Sequence, residues 1–473
     1  MREFVSHIHF VGIGGAGMSG IAEVLLGQNY QVSGSDLHEN AAVKRLKKLG
    51  ATVYQGHAAG NIAGADVVVV SSAIADNNVE AVAARASGIP VIPRAEMLGE
   101  LMRFGQGIAV AGTHGKTTTT SLIAAILAEG GLDPTFVVGG LVNSVNSHAK
   151  LGKGAYLVAE ADESDASFLH LQPRISVITN IDIDHMETYG GDFDRLRQTF
   201  SAFVHNLPFY GLAIVCIDDP VVRQLVGEVH RTVVSYGTSA DADFQVSDIS
   251  QMGTTMRFSV NRPGGSSPLQ IELALPGVHN VLNATAAIAI AHQLKIADDD
   301  VSSALKSFAG IGRRMQILGE YRLNDVTVTV VDDYAHHPRE IRATLDAARG
   351  AWPDRRIIVV FQPHRYSRTQ NLFDDFAELL SSIEPLIVTE VYPAGEAPIT
   401  AADGRALCRA IRKRGSSDPV FVEQLDTLSE VLEGLCKNED VVLMLGAGDI
   451  GRHARALVAE AAQASGNTVE ASA

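Results

Sequence analysis

A chain of 473 residues, 46% hydrophobic and 19% charged, has the make-up of a globular protein large enough for about three domains. Its formal charge of −16 argues against nucleic acid or an anionic membrane as partner, so an anionic nucleotide has to be met by local positive sites. No apolar run reaches the roughly 18 residues of a transmembrane helix, the N-terminus reads as a strand rather than a signal peptide, and Cys216, Cys408 and Cys436 are too scattered for a metal or redox motif and fit a reducing cytoplasm.

Residues 1–106 read as a Rossmann-like domain. The apolar run Ile8 to Ile13 enters Gly12-Ile13-Gly14-Gly15-Ala16-Gly17, a helix follows through Leu26, a second strand (Gln31 to Gly34) ends at Ser35-Asp36, and a third covers Val67 to Ser71. Gly12, Gly14 and Gly17 fit G-x-G-x-x-G, and Asp36 stands near the spacing of a ribose-binding acid. That motif alone suggests NAD, but its physics requires only a diphosphate approached closely by glycine backbone at a helix N-terminus. A UDP-sugar satisfies it equally, and a tight turn without ligand remains an alternative. Pro90 and Pro93 are expected to end regular structure and mark the exit, before a helix near Glu96 to Met102.

Residues 107–310 are organised around Gly112-Thr113-His114-Gly115-Lys116-Thr117-Thr118. A strand (Gly107 to Ala111) runs into this glycine turn and out into an apolar-rich helix, the layout of a shortened phosphate-binding loop with Val110 where the longer Walker pattern has glycine. Backbone amides and the helix N-terminus would cradle phosphate, Lys116 would reach its outer oxygens, and the Thr117 hydroxyl would hold Mg²⁺. Further buried strands are expected at Phe136 to Val138, Tyr156 to Glu160, Ile175 to Asn180 and Leu212 to Ile217, giving a parallel sheet. The alternating stretch Phe244 to Leu275 reads as a small antiparallel appendage, and an Ala/Ile-rich helix follows Pro276.

Residues 311–473 read as a second Rossmann-like unit. Strands are expected at Val326 to Val331, Arg356 to Phe361, Leu386 to Thr389 and Val441 to Leu445, with a helix after Pro338 and a frayed polar tail after Ala464.

Glu160 ends a buried strand, where parallel sheets place their ligands, and it offers Mg²⁺ a hard oxygen beside Thr117. Asp162, Glu163 and Asp165 read as an exposed acidic loop. His185, after another strand, is a divalent-metal candidate or a local hydrogen-bond partner.

Ten segments in order, VGIGGAGMSG, VSGSD, GTHGKTTTT, EADESD, TNIDIDHMETY, PGVHNVLNA, GRRMQ, DDYAHHPRE, QPHRYSRT and LGAGDI, give nearly the whole chain a resemblance to the Mur ligases, ATP-dependent amino-acid ligases of bacterial cell-wall synthesis. The resemblance implies an α/β fold of three domains, serving a UDP-sugar, ATP and an amino acid. It assigns Gly12, Gly14, Gly15, Gly17, Ser35 and Asp36 to the UDP-sugar, and Gly112 to Thr118 with Asn280 and Asn283 to ATP. Thr117, Glu160 and His185 go to metal, with two Mg²⁺ expected. Lys116, Glu160, His185, Arg314 and Asp333 are implied as catalytic. Tyr334, His336, Arg365 and Arg368 are placed around the amino acid and the sugar-borne carboxylate. The implied substrates are ATP, UDP-N-acetylmuramate and L-alanine, in peptidoglycan precursor synthesis. Several relatives carry a carbamylated Lys just beyond the His. This chain has no Lys between His185 and Pro208, only Arg195 and Arg197, which fits the alanine-adding branch and removes that metal ligand.

Overall fold

The computed structural model describes residues 1, 3–71, 74–143, 147–265, 267–323, 326–415 and 417–464, so the expected tail after Ala464 lies outside the described residues. Three sheets carry the chain. In the first, β1 (His7–Val11), β2 (Gln31–Asp36), β3 (Thr52–Gln55), β4 (Val67–Val70) and β5 (Val91–Pro93) run parallel in the order β3-β2-β1-β4-β5. Val91–Pro93 is thus an edge strand and not an exit. An edge tolerates proline because one row of its amides has no ladder partner to lose.

The central sheet has ten strands. They are β6 (Gln106–Ala111), β7 (Thr135–Val142), β8 (Ser147–Lys150), β9 (Tyr156–Glu160), β10 (Ile175–Ile178), β11 (Leu212–Cys216), β12 (Thr232–Gly237), β13 (Phe244–Met252), β14 (Thr255–Asn261) and β15 (Leu269–Leu273). Their order is β15-β14-β13-β12-β11-β10-β6-β9-β7-β8. The strands around β6 are parallel, β8 is antiparallel to β7, and β13 joins through a short parallel pairing of Tyr236 with Phe244. The appendage expected at Phe244 to Leu275 is therefore hydrogen-bonded onto the sheet as its outer strands.

The third sheet comprises β16 (Gln316–Leu323), β17 (Val326–Asp333), β18 (Ile357–Phe361), β19 (Leu386–Thr389), β20 (Val420–Val422) and β21 (Val441–Leu445), in the order β16-β17-β21-β18-β19-β20. Only the edge pair β16–β17 is antiparallel. By contacts the chain divides into two compact units: Met1–Ile249 with Arg257–Ala274 and His279–Ala309, and Ser250–Met256 with Leu275–Val278 and Gly310–Ala473.

Within the first unit, the helix Ala16–Gly27 lies against β7 and β8 through its glycines. A Cβ on Gly20 would sit 3.2 Å from the Ala149 Cβ and 3.3 Å from Val137, and one on Gly27 would sit 2.6 Å from Leu151. One apolar core, including Met18, Ile21, Leu25, Val137, Ala149 and Leu157, runs through both sheets.

The first sheet buries a polar network as well. His7 and His9 of β1 both reach the Ser33 hydroxyl, at 2.7 and 2.8 Å. Glu80, fully buried on the helix Val79–Ala86, accepts from Ser35 at 2.5 Å and Asn61 at 2.6 Å and lies 3.3 Å from His57. Burial works to raise its pKa. The His9 ring 3.7 Å away and the hydrogen bonds from Ser35, Asn61 and the Ala58 amide outweigh that and bring it from 4.5 to about 2. A carboxyl depressed on folding contributes stability above its unfolded pKa and loses it as pH falls through the folded one. Glu80→Gln should therefore lower unfolding free energy at pH 7 by on the order of 3 kcal/mol. In denaturant titrations the gap from wild type should close as pH falls from about 4.5 towards 2. A gap unchanged by pH would show that shape, not charge, is what Glu80 contributes.

Candidate functional site

The turn after β6 is built as a phosphate loop. Gly112 has φ 134° and Gly115, the N-cap of the helix Lys116–Glu129, has φ 85°, both left-handed conformations that favour glycine. A Cβ on Gly112 would also collide with the Thr179 hydroxyl at 2.0 Å. The segment leaving β10 braces the loop from beside it. Asn180 accepts the His114 amide at 2.9 Å and donates to the His114 carbonyl at 3.0 Å, while its own carbonyl accepts the Thr113 amide at 3.1 Å. The Thr179 hydroxyl donates to the His114 carbonyl at 2.6 Å, the Thr113 hydroxyl accepts the Asp182 amide at 2.9 Å, and the His114 ring lies 3.2 Å from the Asp182 carboxylate. Thr118 is buried in the first turn. Asn283 closes the other side. It accepts the Thr119 hydroxyl at 3.1 Å, donates to Asn280 at 3.2 Å, and would meet a Cβ on Gly115 at 2.6 Å. Thr179, Asn180 and Asp182 were not singled out from the sequence as part of this site, although the TNIDIDH segment that carries them was.

Lys116 turns its ammonium onto the Gly112 carbonyl at 2.7 Å and onto Glu163 at 2.7 and 3.0 Å. Glu163 is 2% exposed, which corrects its reading as part of an exposed acidic loop; that reading holds for Asp165. Glu160 accepts the Gly139 amide at 2.7 Å, and the nearby Thr117 hydroxyl works to lower its pKa, so these two expected metal ligands are neighbours. Desolvation raises the pKa of both Glu160 and Glu163. Desolvation also opposes the charge on Lys116, but Glu163, Asp162 and Glu160 more than compensate and hold its ammonium above the ordinary value. Three carboxylates thus crowd one ammonium. A hard-oxygen set with surplus negative charge, whose Glu160 is held towards protonation, fits a divalent cation such as Mg²⁺. His185 has φ 52°, with its amide donated to Asp184 at 2.9 Å and its Nε2 3.6 Å from that carboxylate. Arg197, in the stretch without lysine, pairs with Glu228 and Asp194.

In the first glycine loop, Gly12 has φ 81° and Gly15 caps the helix Ala16–Gly27. Asp36 accepts the Gly14 amide at 2.8 Å, and Asn40 donates to the Gly14 carbonyl at 2.9 Å. A Cβ on Gly14 would lie 2.8–2.9 Å from Asp36, Asn40 and Val43, so glycine there is demanded by the loop's own brace. Ser35 needs correcting as a ligand contact. Its side chain is fully buried on Glu80, and what it offers the loop is its carbonyl, which accepts the Gly12 and Ile13 amides at 2.8 and 3.0 Å.

In the second unit, Asp333 accepts the Met315 amide at 2.7 Å and the Ala335 amide at 2.8 Å, and burial raises its pKa. Its Oδ2 thus braces the turn that carries Arg314, and its Oδ1 the turn that leaves β17. The Arg313 and Arg314 guanidinium groups lie 4.9 and 5.3 Å from the Tyr334 ring. Tyr334 meets His336 edge-on at 5.3 Å, and His336 meets His364 at 5.8 Å. Arg368, 7% exposed, donates to His364 at 3.3 Å, while Arg365, at φ 68°, stands 3.8 Å from Glu396 and is half exposed. Burial first, then His336 and the arginines, push the His364 pKa down to about 3. His364 joins the predicted set Arg314, Tyr334, His336, Arg365 and Arg368 as its centre.

Comparison with known proteins decides the family. Residues 7–106 match the profile described as Mur ligase family, catalytic domain; 110–291 match the Mur ligase middle domain; 313–448 match the Mur ligase, glutamate ligase domain. The chain is 59% identical over 454 residues to the UDP-N-acetylmuramate–L-alanine ligase of Xanthomonas campestris pv. campestris, covering 96% of this chain and 95% of that one. The chain belongs to the Mur ligase family. It is 58% identical to a ligase of the same name from Halorhodospira halophila, over 94% of this chain and 92% of that one. Among solved structures, it matches the UDP-N-acetylmuramate–alanine ligase MurC of Thermotoga maritima with TM-score 0.81 and 32% identity, covering 97% and 99% of the two chains. It also matches a murein peptide ligase of Psychrobacter arcticus with TM-score 0.70 and 25% identity, covering 98% and 99%.

Asn180→Ala deletes two side-chain hydrogen bonds that hold the phosphate loop. In this Mur ligase it should weaken ATP binding by roughly 30-fold, at about 1 kcal/mol per bond, with the far-ultraviolet spectrum unchanged. Titration of a nucleotide analogue checks this; wild-type affinity would mean the loop holds its shape without Asn180.

Proposed function

We propose that this protein joins L-alanine to the lactyl carboxylate of UDP-N-acetylmuramate, converting ATP to ADP and phosphate, as a step of peptidoglycan precursor synthesis. The carrying observation is the near full-length identity of 59% to a ligase of that name. The chemistry of the loops agrees with it. A carboxylate is a poor electrophile, and transfer of the γ-phosphoryl makes it an acyl phosphate. The alanine amine then attacks, and the tetrahedral intermediate expels phosphate.

Each group has a task in this scheme. The amides at the start of the helix Lys116–Glu129 take the phosphates, since those of Thr113 and His114 are held by Asn180. Lys116 aligns on the transferring phosphoryl, for which its ammonium leaves Glu163. Thr117 and Glu160 are the residues to hold Mg²⁺, with His185 proposed for a second ion. Such a cation neutralises charge on the outer phosphates. Asn280 and Asn283 fix the loop and its helix. Gly12, Gly14, Gly15 and Gly17 present the UDP diphosphate with backbone, and Asp36 sets that loop's shape. Arg314, braced by Asp333, adds positive charge. Arg365 and Arg368 hold the alanine carboxylate beside Tyr334 and His336, a bidentate task suited to guanidinium. The reaction belongs in the cytoplasm, where ATP is supplied. Among the described residues no helix is long and apolar enough to cross a membrane.

The test is ADP release with UDP-N-acetylmuramate and each acceptor in turn. L-Alanine should give strong turnover, glycine and L-serine weak turnover, and D-alanine none, because its amine misses the acyl phosphate. Differences of one small group are worth only about 1–3 kcal/mol, so discrimination against glycine and serine should be partial. Strong turnover with L-alanyl-γ-D-glutamyl-diaminopimelate and none with L-alanine would reverse the acceptor. Lys116→Ala should cut kcat by on the order of 10²- to 10³-fold with the fold intact. Glu160→Gln should lower activity and raise the Mg²⁺ concentration needed for half-maximal rate; an unchanged Mg²⁺ dependence would remove Glu160 from the metal site.

A further inference from the structure

The first glycine loop meets its diphosphate with backbone alone: Val11 to Gly20 contains no basic residue, in a chain of charge −16. The fold brings a cation there from elsewhere. Because β1, β4 and β5 are parallel, their carboxyl ends share one edge of the sheet. Arg94, the first residue of the helix Arg94–Met102, follows β5 and so emerges beside the loop that follows β1. Its guanidinium lies on Gly17. A Cβ there would sit 3.0 Å from Nη1, 3.1 Å from Cδ and 3.3 Å from Cζ. The third glycine of the fingerprint therefore leaves room for a guanidinium.

The Arg94 side chain is only 23% exposed, and its ion-pair partner, the Asp162 carboxylate, stands at 3.7 Å, beyond hydrogen-bond length. Among the described residues none accepts a hydrogen bond from it, although a guanidinium carries five N–H donors. A largely buried guanidinium with open donors at the start of a glycine-loop helix is matched to a bidentate anion.

We infer that Arg94 binds the diphosphate of the sugar nucleotide at the Gly12–Gly17 loop. This rests on the proposed UDP-sugar reading of the loop.

The experiment is a KM and binding comparison on the full chain. Arg94→Ala should raise the KM for UDP-N-acetylmuramate, and weaken UDP binding by calorimetry, by roughly 10- to 100-fold, the range for a lost charged hydrogen bond. The KM for ATP should stay within about threefold, a split that general loosening of the fold would not produce. Arg94→Lys should recover part of the loss, since it restores charge without the planar fork. Gly17→Ala, whose added Cβ would sit 3.0 Å from the guanidinium, should move the UDP-N-acetylmuramate KM the same way. Should Arg94→Ala prove insoluble, Arg94→Lys and Gly17→Ala carry the same comparison. Wild-type UDP affinity in both Arg94→Lys and Gly17→Ala, or in Arg94→Ala, overturns the inference while leaving the ligase reading intact. A wild-type protein that binds ATP but neither UDP nor UDP-N-acetylmuramate removes the reading of the loop, and the inference falls with it.

Discussion

Everything at the phosphate loop turns on a shortage of positive charge. Glu160, Asp162 and Glu163 crowd the ammonium of Lys116, which already bonds Glu163 and the Gly112 carbonyl. Desolvation pushes Glu160 and Glu163 towards their neutral forms. The cluster is therefore not a satisfied salt bridge but a set of acids short of counter-charge. Under the proposed function, phosphate and Glu163 would compete for one ammonium, and a divalent cation would let both anions remain. The sheet creates the crowding. β6 lies between β9 and β10 and runs parallel to both, so Glu160 and Thr179 leave the same edge one strand spacing to either side of Gly112.

The first sheet is fastened closely to the second. Gly20 and Gly27 let the helix Ala16–Gly27 approach β7 and β8 more tightly than a residue with a Cβ would, and the core is shared across the contact. The glycine loop at that helix's start is thereby held by packed elements relative to the acid cluster beyond β9. Under the proposed function, two anionic substrates would be placed by rigid elements, with their mutual repulsion met by cations set in advance.

What the sequence makes legible is what is local. The loop at Lys116 combines strand, glycine turn, Lys-Thr and helix within a dozen residues, and the structure keeps that layout. Strands with both faces buried, such as His7–Val11 and Val441–Leu445, stand out as apolar runs. β3 does not, because as an edge strand it has no fully buried residue to show a period. Glu163 is invisible for another reason. Its partner is 47 residues away, and an acidic run ordinarily means a solvated loop. Ser35 misleads in the opposite sense: a polar residue at a strand end looks ligand-facing, yet the pleat turns it inwards to Glu80. Gly14 and Gly17 are legible as glycines but not for their reasons, since Asp36, Asn40 and Arg94 reach them from other elements.

The second unit handles charge in a contrasting way. Arg313, Arg365 and Arg368 surround His364, and together with burial and His336 they hold its imidazole neutral, with a pKa of about 3. The ring accepts from Arg368, which no protonated imidazole could do. A neutral spacer keeps the arginines near one another without adding to their repulsion. Because this histidine does not change charge between pH 5 and pH 9, it leaves the charge of the arginine group constant there. In the proposed reaction, sensitivity of turnover to acid would arise at Glu160, which would have to be ionised to hold a cation and whose pKa desolvation already raises. The two groups are tuned in opposite senses: a histidine held neutral among arginines, and a carboxyl held towards protonation by burial.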